Sequence, residues 1–367
     1  MVFYKSLIRP LLFLKDAEST HEQILSILAH IDFLQGALLP LYRVTDPRLS
    51  VRLGPLTLTN PVGLAAGFDK NAVAIKALPT FGFGFIEIGA VTAQAQPGNP
   101  KPRLFRLPPD YALINRLGFN NQGAAAISER LGRWQKDNTL PRIPLGINVG
   151  RTKVVDNKDA ASDYLFTFES LYSYGDYFTL NVSSPNTPNL RDLQEIGALE
   201  ELLEAIQTRN LELSRARNAD PKPVFVKIAP DMEFDQLDKI IELLQTRGVT
   251  AVIATNATAF LREKLVTRSE EAGGLSGKPL RARSTEFTRH IYELTRGKLP
   301  IVGSGGIFSA EDAYEKITAG ATAVQIYTGF VYEGPGLVRQ INRGLLKLLQ
   351  RDGLQNITEA VGTSVRL

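Results

Sequence analysis

Cysteine is absent from all 367 residues. That excludes disulfides, thiolate zinc sites, cysteine-ligated iron–sulfur clusters and every thiol nucleophile or thiol acid. Histidine is nearly as scarce: His21, His30 and His290 make up the whole complement, and no His-Glu-x-x-His pair occurs. No metal site is expected on that basis. A strong charge of one sign is missing too. Lys plus Arg is 42 against 38 for Asp plus Glu, a net +4, and no run of five or six like charges gives a nucleic-acid footprint. No uncharged stretch reaches the ~18 residues of a membrane span. Arg9 and Pro10 interrupt the apolar run that a secretory signal requires, so the chain is expected to stay on the cytosolic side. Chemistry is left to Lys, Ser, Thr, Asn, Tyr, carboxylates or a bound cofactor.

Residues 1–45 stand apart from the rest. Phe3, Tyr4, Leu7, Ile8, Leu11, Leu12 and Leu14 recur at nearly helical spacing, with Lys5, Arg9 and Lys15 between them. Pro10 is placed to kink this helix or to begin its second half. Ser19 followed by Glu22 predicts a capping box for a second helix. That helix carries Ile24, Leu25, Ile27, Leu28, Ile31 and Leu34, with Gly36 and Pro40 as its stop. Two readings of this two-helix extension are open: a hairpin packed on the core, or a membrane-surface element with an uncovered apolar face.

From residue 46 to 367 the chain alternates. Strand-like runs fall at Val62–Ala66, Phe85–Val91, Leu145–Val149, Tyr177–Val182, Val224–Ile228, Ala251–Thr255, Pro300–Gly303 and Ala323–Tyr327. Helix-like stretches lie at 69–79, 121–134, 195–216, 233–247, 281–296, 309–319 and 337–351, with another around Asp159–Tyr172. Eight apolar strands alternating with helices predict a parallel sheet buried on both faces. Eight is also the number that closes a barrel, and neither Gly82-Phe-Gly84 nor Gly303-Ser-Gly305-Gly306 has the Gly-x-Gly-x-x-Gly spacing of a doubly wound dinucleotide fold. The predicted fold is an α/β (β/α)8 barrel of the TIM type, one domain over 46–367.

In such a barrel, reactive groups gather at the C-terminal ends of the strands. Those ends here carry Asp69, Lys70, Thr92, Asn148, Asn181, Lys227, Thr255, Asn256, Gly305, Gly306, Tyr327 and Thr328. Polar residues are ordinary where strands emerge into turns, but two lysines and several amides from different strands are not. Bare amides after strand 7 (Gly303-Ser-Gly-Gly306), joined by those after strand 8 (Tyr327-Thr-Gly329), suit a phosphate-bearing ligand. The loop Asn181-Val-Ser-Ser-Pro-Asn-Thr-Pro-Asn189 is stiffened by Pro185 and Pro188, and it offers hydroxyls and amides to a planar, hydrogen-bonding substrate. Lys227, set inside an apolar strand, is costly to bury unpaired. It could form a Schiff base or sit beside an anionic cofactor ring.

Six segments, in order along nearly the whole chain, resemble the dihydroorotate dehydrogenases. They are Ala65-Ala-Gly-Phe-Asp-Lys-Asn71, Gln96-Pro-Gly-Asn-Pro-Lys-Pro-Arg-Leu-Phe-Arg106, Ile114-Asn-Arg-Leu-Gly-Phe-Asn-Asn121, Asn181-Val-Ser-Ser-Pro-Asn-Thr187, Gly273-Gly-Leu-Ser-Gly277 and Val324-Gln-Ile-Tyr-Thr-Gly329. The N-terminal helices and a serine in place of a cysteine base resemble the quinone-dependent, membrane-associated class. The resemblance implies one FMN held by Ala66, Gly67, Phe68, Asp69, Lys70, Ala90, Asn148, Asn181, Lys227, Thr255, Gly277, Gly306, Tyr327 and Thr328. It implies dihydroorotate at Lys70, Asn115, Arg116, Leu117, Gly118, Phe119, Asn181, Asn186, Asn256 and Ala257, with Ser184 as the base. Ala90 and Ala257 depart from the family pattern, which commonly has a hydroxyl residue there, so contacts at those two positions would come from backbone.

The implied reaction is oxidation of dihydroorotate to orotate, in pyrimidine biosynthesis, with electrons leaving to a membrane quinone. The quinone would enter between the N-terminal helices, past Arg106 and Tyr327. The implied location is peripheral, on the cytoplasmic side of the cell membrane. Two other readings remain at this point: a phosphosugar aldolase or isomerase using Lys227, and a non-enzymatic phosphate-ligand-binding barrel.

Overall fold

The computed structural model describes residues 3–30 and 35–365. A wide π turn, Tyr4–Ile8, runs into α1 (Arg9–Phe13), followed by α2 (Ala17–His30) and α3 (Gln35–Tyr42). A small hairpin, β1 (Val51–Leu53) and β2 (Leu56–Leu58), precedes β3 (Val62–Leu64) and β4 (Phe85–Val91). Then come β5 (Leu104–Leu107), β6 (Ala112–Asn115), α4 (Gly123–Lys136), β7 (Leu145–Val149), α5 (Ala160–Leu171), β8 (Tyr177–Asn181) and α6 (Ile196–Ala216). The second half continues with β9 (Val224–Ile228), α7 (Phe234–Thr246), β10 (Ala251–Ala254), β11 (Gly274–Gly277) and α8 (Arg281–Thr295). It ends with β12 (Ile301–Ser304), α9 (Ala310–Thr318), β13 (Ala323–Ile326), α10 (Thr328–Glu333) and α11 (Leu337–Arg351).

All eight expected strands form, and they close into one parallel barrel in the order β3-β4-β7-β8-β9-β10-β12-β13. Their side chains alternate inward and outward, so residues two apart stack along the barrel axis. Phe85, Tyr177 and Phe225 fill one layer, with Tyr177 stacked on Phe225 at 4.5 Å between centroids. Glycines make room for these rings: a Cβ on Gly63 would lie 2.3 Å from Phe85, and one on Gly146 would lie 2.1 Å from Tyr177. Two residues further along the strands the layer turns polar, with Glu87, Asn148, Thr179, Lys227 and Gln325, all buried. Beyond that layer the barrel opens toward its C-terminal end. The outer helices bury one stripe each, as in Leu237, Ile240, Ile241 and Leu244 of α7.

Several local expectations are corrected. Residues 69–77 form turns that run into a short 3-10 helix, Leu78–Phe81, instead of an α-helix. The Asp69 carboxylate accepts the N–H groups of Val73 (2.9 Å) and Ala74 (2.7 Å), and Ala72 takes the left-handed φ of +57°. A side chain that competes for backbone donors and a left-handed residue are both incompatible with continued α-helix. The second N-terminal helix begins earlier than Ser19, because Asp16 accepts the Ser19 N–H at 2.8 Å and caps it. Pro40 lies inside α3 and terminates nothing; among the described residues the extension carries α1, α2 and α3 after its π turn. Ile31 and Leu34, expected on the second helix, lie outside the described residues. Pro10 sits at the start of α1 and begins the helix's second half. A three-stranded antiparallel sheet, β5-β6-β11, was not foreseen; it rises at the rim from segments more than 150 residues apart.

That sheet and α2 are tied by charge. Glu18 of α2 takes a forked contact from Arg103, just before β5, at 2.7–3.1 Å, and both groups are buried. Arg103 also donates to the carbonyls of Pro97 and Asn99, both at 2.6 Å. Removing one member of a buried pair strands the other and typically costs about 3–5 kcal/mol. Glu18→Ala is expected to release α2 from the rim while the barrel stays folded. Hydrogen exchange in residues 17–30 should accelerate by at least about 100-fold, since 1.4 kcal/mol is tenfold. Unchanged protection there would show that α2 is held by its apolar face alone.

Candidate active site

The C-terminal mouth of the barrel holds an open cavity, about 1070 Å³ with the solvent space at its entrance included. Pairing register brings its central groups together: β8 and β9 set Asn181 beside Lys227. Lys227 is fully enclosed, and burial lowers its pKa against the opposing pull of Glu87. Lys70 enters from the turn after β3, donates to Asn120 Oδ1, and is pushed down to about 7 by burial and by the Arg103 guanidinium. The wall therefore carries two lysines held in a low-dielectric setting, which favours an anionic ligand.

Amides gather around these lysines. Asn186 Nδ2 donates to Asn115 Oδ1 at 3.1 Å, Asn256 Nδ2 to Ser183 Oγ at 2.9 Å, and Asn181 Nδ2 to Asn148 Oδ1 at 2.9 Å. Ser184 is buried in the wall, and its Oγ accepts the Asn186 N–H at 3.3 Å. Among the described residues no histidine lines this cavity. At the far end Gly305 and Gly306 follow β12 with φ of +121° and +73°, and a Cβ on Gly306 would strike Arg281 at 2.4 Å. Only glycine allows that backbone and that approach. Thr328 and Gly329, which open α10 just after the adjacent β13, complete this corner.

Most residues singled out from the sequence line this one cavity: Ala66, Gly67, Lys70, Ala90, Asn115, Leu117, Gly118, Phe119, Asn181, Ser184, Asn186, Lys227, Thr255, Asn256, Ala257, Gly277, Gly306, Tyr327 and Thr328. Four do not. Asp69 braces the turn behind Lys70. Asn148 is fully buried, with its amide engaged by Glu87 and Asn181. Arg116 turns outward to Glu271 at 2.5 Å and lies over the Phe105 ring. Phe68 faces a different cavity. Sequence reasoning missed Gln325, a polar residue in a buried strand that carries the same signal as Lys227, and Ser276 and Leu113, which reach the mouth only through the unforeseen rim sheet.

The second cavity, about 1060 Å³, lies between the N-terminal helices and the barrel. Its wall is mainly apolar, from Ile8, Leu12, Ile24, Leu28, Phe68 and Phe330, with Thr20, His21 and Arg106 as polar exceptions. His21 stands edge-on to Phe68 at 4.9 Å. Burial depresses its pKa to about 4, so near neutrality the ring is uncharged and its Nε2–H donates to the Phe68 carbonyl at 2.6 Å. Arg106 stacks on Phe13 at 4.6 Å and donates to the Lys15 carbonyl at 2.6 Å. Leu104, Leu113 and Tyr327 line both cavities, so these three side chains are the partition between them. Arg106 and Tyr327, expected at the inner end of an acceptor tunnel, both sit in this wall. His21 was not singled out; a lone histidine in an amphipathic helix gives no sequence signal of its own.

The model of the family described as dihydroorotate dehydrogenase matches residues 48–349. A protein of Acaryochloris marina named dihydroorotate dehydrogenase (quinone) is 48% identical over 99% of this chain and 100% of its own length. Its namesake in Gloeobacter violaceus is 51% identical over 97% of this chain and 98% of its own. The crystal structure of the Eimeria tenella DHODH in complex with ferulenol superposes with a TM-score of 0.87 at 38% identity, covering 95% of this chain and 96% of that one. With the match running through the barrel, the rim loops and the N-terminal helices alike, the chain belongs to the dihydroorotate dehydrogenase family.

Proposed function

We propose that this protein is a quinone-dependent dihydroorotate dehydrogenase that binds FMN and works at the cytoplasmic surface of the cell membrane. The carrying observation is the pair of cavities that share three lining residues: one carrying two lysines, several amides and a glycine corner, the other mainly apolar and facing the N-terminal helices. The residues present fit FMN. Gln325 Oε1 is buried without a partner in the wall of the first cavity, a ready acceptor for a ring N–H. The glycines at 305 and 306 leave backbone bare for a phosphate, and Lys227 offsets negative charge. Ala66, Gly67, Lys70, Ala90, Asn181, Lys227, Thr255, Gly277, Gly306, Tyr327 and Thr328 would hold it, with Phe68, Asp69 and Asn148 as the layer behind.

When bound, FMN supplies a two-electron acceptor for the hydride that leaves the dihydropyrimidine ring. The chain's own residues do the rest. Lys70 binds the substrate carboxylate, while Asn115, Asn181, Asn186 and Asn256 meet its carbonyls and N–H groups. Leu117, Gly118, Phe119 and Ala257 shape the pocket around the ring, and Arg116 braces their loop from outside. Ser184 Oγ takes the proton from the ring carbon beside the one that loses hydride while its own hydroxyl proton passes to water at the cavity mouth, so the serine ends neutral. A serine is a weak base, and the positive field of Lys70 and Lys227 lowers the cost of the negative charge developing there.

The reading predicts a yellow protein whose flavin absorption bleaches when dihydroorotate is added without oxygen and returns when a quinone is added. An aldolase that uses Lys227 would be colourless. Ser184→Ala should keep FMN and substrate binding but slow the bleaching by at least ~100-fold, the usual loss for a general base. Near-normal bleaching in a stopped-flow trace would assign the proton to another group.

Residues 1–45 form the acceptor-side element, and 46–367 the FMN-binding barrel. Phe3, Leu7, Leu11 and Leu14 lie on one helical stripe and remain 65%, 54%, 66% and 83% exposed. The other face of the same segment is docked: Tyr4 donates to the Val331 carbonyl at 2.7 Å, and Phe13 packs edge-on against Tyr332. Among the described residues no helix is long and apolar enough to cross a membrane, so attachment would be by this stripe lying in the interface. Replacing Leu7, Leu11 and Leu14 together by Ser should reduce sedimentation with lipid vesicles by at least ~100-fold, each leucine being worth about 1.5–3 kcal/mol. Oxidation by a short soluble quinone should be retained. Vesicle binding equal to the parent's would remove the stripe from the membrane contact.

A further inference from the structure

The polar layer beneath the first cavity contains an acid to which the reaction assigns no task. Glu87, in the middle of β4, is 1% exposed. Its Oε1 accepts from Asn148 Nδ2 at 2.8 Å, and its Oε2 accepts from Tyr177 Oη, Thr179 Oγ1 and Gln325 Nε2 at 3.2, 3.0 and 3.0 Å. A carboxylate only accepts, whereas a carboxamide has one accepting and one donating end. Asn148 must therefore turn its NH2 to Glu87, which leaves Oδ1 for Asn181 Nδ2 at 2.9 Å. Asn181 Oδ1 is then free to receive the N–H and hydroxyl of Ser183, at 3.4 and 3.1 Å, and Asn256 Nδ2 at 3.4 Å. Gln325 is turned by the same rule: its NH2 faces Glu87, and its Oε1 is the unpartnered acceptor in the cavity wall.

We propose that Glu87 is a positioning residue for this cavity, fixing through its acceptor-only carboxylate which end Gln325 and Asn181 present to the ligands. The proposal rests on the FMN reading above. It makes an asymmetric demand on Glu87→Gln. The new side chain can keep its oxygen toward Asn148, because reversing Asn148 would reverse Asn181 and set its NH2 against the Ser183 N–H. Tyr177 and Thr179 hydroxyls can rotate to accept the new NH2, but Gln325 Nε2 cannot. Gln325 must flip and show a donor to the cavity where an acceptor stood.

The test is titration of FMN fluorescence quenching with flavin-stripped protein, with folding of each variant checked by circular dichroism. Glu87→Gln should weaken FMN binding about 10- to 100-fold, the range for one mispaired buried polar group. Adding Gln325→Glu to it should restore binding, since that carboxylate accepts from the new amide and again offers an acceptor to the cavity. Gln325→Met, made alone, should weaken binding to a similar extent with Glu87 intact. This variant decides the matter if Glu87→Gln fails to fold, and because the charge of Glu87 stays beside Lys227, its loss cannot be traced to that lysine. Unchanged affinity in folded Glu87→Gln or in Gln325→Met would overturn the proposal, as would a double variant as weak as the single one. A parent protein that binds no FMN would overturn the functional reading instead.

Discussion

A closed parallel barrel has to fill its interior, and any polar group placed there must find its partners inside the barrel. In this chain the requirement falls on one buried carboxylate. Glu87 gathers donors from β7, β8 and β13, and Lys227 of β9 lies within reach of its charge. Below it the rings of Phe85, Tyr177 and Phe225 close the barrel; above it the amides and lysine reach the mouth. The layer is thus a floor on which the functional side chains stand. A buried network of this kind rigidifies only if every member is satisfied. The acceptor of Gln325 is left without a partner, in a residue that lines the cavity.

The sequence made the barrel legible because β-branched, apolar runs at regular intervals have no other economical arrangement once they alternate with amphipathic helices. Seven of the eight helical stretches formed close to their expected bounds. The exception, 69–79, turned on Asp69, whose carboxylate prefers the N–H groups of Val73 and Ala74 to solvent. Local spacing does not reveal that choice, because it depends on the aspartate being buried by the rest of the fold. The rim sheet escaped for a similar reason: β11 joins β6 across more than 150 residues, and short four-residue strands carry little periodic signal.

At the site, residues on strand ends and glycine loops could be read from position alone, and the quoted motifs supplied the rest. What could not be read was depth. Asn148 and Asn181 occupy equivalent ends of neighbouring strands, yet one lies beneath the other and only Asn181 reaches the cavity. Arg116 sits within a run of cavity residues but points outward, because Glu271 offers it a carboxylate there. The N-terminal helices resolve the two readings in a mixed way. One face packs on α10 and the rim, the other is bare, and the cavity enclosed between helices and barrel belongs to neither reading by itself.

Function then follows from the partition. Leu104, Leu113 and Tyr327 line both cavities, so under the proposed function they would keep a charged, hydrogen-bonding substrate and an apolar acceptor in separate chambers. Two chambers mean that the reductant and the oxidant need never compete for space. The most direct measurement is the inhibition pattern of orotate in steady state, with dihydroorotate and quinone varied in turn. Separate chambers predict that orotate competes with dihydroorotate but is uncompetitive against quinone, lowering the maximal rate and the apparent KM for quinone together. Competition between orotate and quinone would place both in one chamber and contradict the account.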